Sequence, residues 1–83
     1  MAEQASLSKL RWRCRRGMKE LDLLLERFLE RGYADLSEAE KGDFEALLAR
    51  QDDELWDWFY QGREPDDAAL GKLVRRIREN FLL

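Results

Sequence analysis

Apolar residues recur at intervals of three and four through most of this chain, with glycines and polar clusters separating the runs. Met18, Leu21, Leu25 and Phe28, flanked by Leu24 and Leu29, predict a helix from about Met18 to Arg31, stopped at Gly32. Before it, Ser6 or Ser8 can cap a first short helix to about Arg16, with Gly17 as the residue that tolerates a left-handed conformation at its end. Ser37-Glu38-Ala39-Glu40 has the spacing of a capping box and opens a third helix through Phe44, Leu47 and Leu48. Asp52 is placed to cap a fourth, which holds Leu55, Trp56, Trp58 and Phe59 and ends near Gly62. Pro65 and Asp66 restart the chain, and Leu70, Leu73, Val74, Ile77 and Phe81 form the stripe of a fifth. No alternating apolar pattern persists between turn signals, so the reading contains no strand.

Helices of this length are marginal alone and must bury their stripes against one another. The expectation is an all-α, compact five-helix bundle forming a single domain over residues 1–83, with the first six or so residues flexible. Composition agrees: 45% hydrophobic residues and 11% aromatics, with one proline and five glycines, exclude a disordered chain.

Charge is distributed unevenly. Residues 1–19 carry six bases against Glu3 alone, a balance of +5, and residues 20–67 carry sixteen acids against five bases, a balance of −11. The remainder returns to +3 through Lys72, Arg75, Arg76 and Arg78 against Glu79. Basic ends around an acidic middle predict either that the ends lie against the middle or that they offer a separate positive face. The basic first helix, with Trp12 among its arginines, invites a nucleic-acid reading. A net charge of −3 and a pI near 5.0 argue against it. No run approaches the roughly 18 apolar residues of a membrane span, and the N-terminus lacks the apolar core of a secretory signal. The expectation is a cytoplasmic protein that is not an integral membrane protein.

The chemistry that would make an enzyme is sparse. The chain has no histidine, which removes the commonest general base and metal ligand. It has three serines and no threonine, and Cys14 is the single cysteine. Neighbouring arginines would lower the Cys14 pKa, although a cysteine on a short helix is more often a small core residue. The glycines have neither dinucleotide nor P-loop spacing. The carboxylates Asp52, Asp53, Glu54 and Asp57 read as a solvated helix start. No catalytic, cofactor-binding or metal-binding residue is expected.

What remains is Arg16-Gly17-Met18-Lys19-Glu20. Gly17 bends the chain and leaves its backbone bare, Arg16 brings a planar fork suited to carboxylates or carbonyls, and Glu20 sits in the first turn of the next helix. Local chemistry alone accounts for this as an ordinary helix junction, and a site for a protein partner is the alternative. Trp56 and Trp58, two apart on a helix, cannot share a face. One is expected in the core, and the other, or Trp12, partly exposed beside arginine as at interface hot spots.

The string Arg15-Arg16-Gly17-Met18-Lys19-Glu20-Leu21-Asp22 resembles the signature of the succinate dehydrogenase assembly factor family (SdhE/YgfY in bacteria, with mitochondrial relatives). Its RGxxE motif is matched by Arg16, Gly17 and Glu20, and the likeness continues through Asp52-Asp53-Glu54-Leu55-Trp56-Asp57-Trp58, over roughly residues 7 to 80. The resemblance implies a five-helix chaperone-like protein that binds the flavoprotein subunit of succinate dehydrogenase, or of fumarate reductase, and promotes its covalent flavinylation with FAD. The flavin would then belong to the partner. It implies Arg16, Gly17 and Glu20 as partner-binding positions, with Arg15, Arg11 and Trp12 beside them. An antitoxin-like or regulatory adaptor with a different protein partner is the alternative function.

Overall fold

The computed structural model describes the backbone of residues 2–81 and the side chains of residues 7–81. Five helices follow one another: α1 (Ala2–Arg13), α2 (Lys19–Arg31), α3 (Glu38–Leu48), α4 (Asp52–Tyr60) and α5 (Ala68–Phe81), with a 3-10 turn at Tyr33–Asp35 between α2 and α3. Among the described residues there is no strand. The α3 helix packs on α5, and α2 packs on both α1 and α5, while α4 closes against α5.

The helices start and stop for local reasons. Ser37 Oγ accepts the Glu40 amide at 3.1 Å and Glu40 Oε1 accepts the Ser37 amide at 2.8 Å, completing the capping box at the start of α3. The α5 helix is capped by Asp67, whose Oδ1 accepts the amides of Ala69 and Leu70 at 2.8 and 3.1 Å. The α4 helix differs from the expectation. Its cap is Gln51, whose amide donates to Glu54 Oε1 at 3.1 Å, and Asp52 is the first helical residue, with its carboxylate directed elsewhere. At the far end of α4 the amides of Gln61 and Arg63 both donate to the Asp57 carbonyl at 3.1 Å, a wrap that needs the φ of +78° found at Gly62.

The first helix also departs from expectation at both ends. It reaches back to Ala2, which leaves Ser6 and Ser8 inside it, and it ends at Arg13, three residues before the predicted stop. Long-range contacts of Arg16 and local ones from Asp22, described below, take that segment out of the helix.

The core is built around α2. Leu21, Leu24, Leu25, Phe28 and Leu29 are all buried, and Phe28 meets Phe44 of α3 and Phe81 of α5 with ring centroids 5.2 and 5.3 Å apart. Gly32 lies against this cluster so closely that a Cβ there would sit 2.7 Å from Phe28 and 2.9 Å from Phe81. The residue that ends α2 is therefore a glycine for lack of space. Trp58 is buried, Trp56 is partly buried against Tyr60, and Trp12 is 72% exposed, the division of roles expected of the three tryptophans.

The basic ends lie against the acidic middle. Arg11 pairs with Glu30 at 3.8 Å, Arg16 with Asp52 at 2.6 Å, Arg75 with Glu64 at 3.1 Å and Arg76 with Glu40 at 3.4 Å. Among the described residues no helix is long and apolar enough to cross a membrane.

Candidate functional site: the bend between the first two helices

From Cys14 to Met18 the chain leaves α1 and turns into α2, and each residue of the bend is held differently. Cys14 points fully into the core. Burial pushes its thiol up to about 12, outweighing the lowering effect of Arg16 and Arg11, so the neighbouring arginines do not activate it as their positions in the sequence suggested. Arg15 returns to the surface, its guanidinium 5.9 Å from the centre of the exposed Trp12 ring.

Arg16 turns inward, with its side chain 13% exposed. Its Nε donates to Asp52 Oδ1 at 2.6 Å and Nη1 donates to the Leu48 carbonyl at 2.7 Å and the Arg13 carbonyl at 3.2 Å, while Nη2 donates to the Arg50 carbonyl. The fork thus closes the last residue of α3, the α3–α4 link, the end of α1 and the first residue of α4 around one guanidinium. Arginine suits this task because its planar donors are fixed in direction and always charged.

Asp22 holds the same bend from the other side. From within α2 it accepts the Arg16 amide at 2.7 Å on Oδ1 and the Gly17 amide at 3.3 Å on Oδ2. Two successive amides converging on one carboxylate leave Gly17 at φ +84°, where a side chain would be strained although nothing lies within 4 Å of the position its Cβ would take. Glu20 is exposed in the first turn of α2, and its carbonyl accepts the Tyr60 hydroxyl at 3.1 Å.

These residues frame an open hollow of ≈370 Å³ lined by Arg15, Gly17, Lys19, Asp22, Leu23 and Glu26. Leu23 is 50% exposed, second only to Trp12 among the exposed large apolar residues described. Of the positions singled out in the sequence, Arg15 and Gly17 line this hollow, Trp12 lies beside Arg15, and Glu20 is exposed in the first turn of α2 outside the hollow's lining. Arg16 lies behind them, and Arg11 lines a different groove with Arg13, Glu30, Tyr33 and Lys41. Leu23 and Tyr60 had no functional signal in the sequence, and Asp22 and Asp52, though within the strings that carry the resemblance, were given no role at the bend. Asp22 stands six residues from its partner, and Asp52 and Tyr60 reach the bend only through tertiary packing.

Among the described residues no group of His, Cys, Asp or Glu is placed to hold a metal ion. The polar groups of the bend shape a surface beside the exposed Trp12 on a small helical protein.

Comparison with known proteins gives that class a family. Residues 8–81 match the family described as flavinator of succinate dehydrogenase, and the chain belongs to it. It is 47% identical over 78 residues to the FAD assembly factor SdhE of Xylella fastidiosa strain 9a5c, covering 94% of this chain and 80% of that protein. The FAD assembly factor SdhE of Coxiella burnetii is 42% identical over 79 residues, covering 95% of this chain and 96% of that one. The protein of the same name in Pseudomonas aeruginosa is 42% identical over 77 residues, covering 93% and 92%.

Proposed function

We propose that this chain is an assembly factor that binds the flavoprotein subunit of succinate dehydrogenase, and of fumarate reductase where present, in the cytoplasm and promotes covalent attachment of FAD to it. The family match supports the client, and the bare backbone at Gly17 in a hollow with Arg15 and Leu23, with Trp12 beside Arg15, supports the docking face. Gly17 allows the partner's backbone to approach, while Arg15 and Glu20 offer charge-assisted hydrogen bonds at its edges. Trp12 and Leu23 contribute apolar area to the same contact.

Arg16 has a different part. With its donors engaged inside the chain, it shapes the face and leaves contact to its neighbours. The chain needs no reaction centre of its own for this work. It acts by binding more tightly to the flavoprotein conformation that holds FAD against its attachment residue than to the alternatives.

The test is Gly17→Arg, with Gly17→Ala as its control, in cells lacking the wild-type protein. Both variants carry the cost of a side chain at positive φ, but only arginine fills the approach. The expected result is loss of covalent flavin fluorescence from the flavoprotein band with arginine and its retention with alanine. Normal flavin attachment with Gly17→Arg would overturn the proposal.

A further inference from the structure

Nine residues of α4, a rod about 13 Å long, touch the bend at one end and the first turn of α2 just beyond it at the other. At the first residue, Asp52 takes the Nε of Arg16 at 2.6 Å. At the last, the Tyr60 hydroxyl donates to the Glu20 carbonyl at 3.1 Å. Between them Trp56 stacks on Tyr60, ring centroids 4.4 Å apart, which fixes the direction of the phenol. The buried face of the rod, Leu55, Trp58 and Phe59, is set in the core.

We infer that α4 is a splint for the docking face, and that Asp52 and Tyr60 are positioning residues that set the separation and orientation of the Arg16 and Glu20 ends of the bend. The inference rests on the functional reading above and extends it to a helix that contributes no residue to the hollow. Cys14 to Met18 form no regular helix, so the bend draws its rigidity from what it is tied to. Asp22 ties two amides from inside α2, which fixes the turn at Gly17 but not its distance from the rest of the molecule. The Arg16 donors to the Leu48 and Arg50 carbonyls tie the bend to the α3–α4 link, and the α4 contacts complete the set at both ends of that helix. Losing either α4 contact loosens one end of the face while the core stripe of α4 and the carbonyl contacts of Arg16 stay in place, and the cost falls on binding because the partner must then order the bend itself.

Binding of the unflavinylated flavoprotein subunit to purified Asp52→Ala, Tyr60→Phe, Gly17→Arg and Glu40→Ala variants tests this. Glu40→Ala serves as a control for lost stability, since Glu40 caps α3 and pairs with Arg76 away from the bend. Thermal melting confirms that each variant is folded at the assay temperature. The expected result is about tenfold weaker binding for Asp52→Ala and Tyr60→Phe, on the order of one lost hydrogen bond to the bend, with wild-type affinity for Glu40→Ala. In Tyr60→Phe the backbone amide resonances of Glu20 and Leu21 shift as well, and Asp52→Glu recovers part of the lost affinity. Wild-type affinity in both splint variants, with Gly17→Arg defective, overturns the splint and leaves the docking face standing. Equal weakening in Glu40→Ala also overturns it, because general stability then explains the loss. Wild-type affinity in Gly17→Arg overturns the docking face and the splint together.

Discussion

Single residues in this chain take their behaviour from burial more than from sequence neighbours, and Cys14 is the clearest instance. Its arginine neighbours act to lower the thiol's pKa, but Cys14 is the small core residue its place on a short helix favours, and burial pushes the thiol up to about 12. Iodoacetamide at pH 8 should leave the folded protein unmodified and alkylate it only on unfolding, as mass spectrometry would read. The same shift predicts alkaline instability. The unfolded thiol ionises near 9.0 and the folded one near 12, so the preference for the neutral form is fully present below pH 9 and lost as pH rises between the two. One group contributes a slope of at most about 1.4 kcal/mol per pH unit. Denaturant unfolding of Cys14→Ala should lack that part of the decline above pH 9. Part of the decline will survive above about pH 10 because Tyr33 and Tyr60 are also raised, chiefly by burial. Gly32 supplies a second test at this scale. Gly32→Ala places a methyl into Phe28 and Phe81, and the overpacking should cost about 1–3 kcal/mol in urea unfolding.

Elements were the most legible level. Four apolar stripes, together with serine and glycine punctuation around a first short helix, predict five helices, and five helices form among the described residues, because periodicity and caps are local signals. The Ser37 box needed only its own four residues. Ser37→Ala should cost about 1 kcal/mol and lower the thermal midpoint. Glu40, held below the usual carboxylate range first by the Ser37 amide, makes α3 sensitive to acid. Its contribution is present above its ordinary value and is lost as pH falls through the lowered one. Illegible were the features fixed across the fold. The early end of α1 depends on carbonyls contributed by residues 48 and 50, and the role of Asp52 depends on a guanidinium 36 residues away. A helix-cap reading of Asp52 was locally sound and displaced by that partner. The candidate face divides the same way: the bare Gly17 and the polar Glu20 were visible in the motif, whereas the inward turn of Arg16 was not.

At the scale of the whole molecule, charges far apart in sequence join the ends to the middle, but they do not contribute equally. Arg11 and Glu30 are half-exposed and 3.8 Å apart, the kind of surface pair worth little after screening and side-chain entropy. Arg16 is largely shielded and meets three carbonyls and a carboxylate. Lysine cannot reproduce that fork. Arg16→Lys should therefore destabilise the fold by about 2 kcal/mol, and Arg11→Lys by less than about 0.5 kcal/mol, in matched urea titrations. The difference should persist at high salt, since screening weakens exposed pairs more than shielded ones.

The three tryptophans have one further consequence, which is optical. Trp58 emits from the core and Trp56 from beside Tyr60, while Trp12 stands in water at the rim of the bend with Arg15 over its ring. The red edge of the native emission, and the portion that iodide quenches, should therefore belong mainly to Trp12 and disappear in Trp12→Phe. A partner that covers the bend will move that edge to the blue and shield it from the quencher, so the unlabelled protein carries its own gauge of docking.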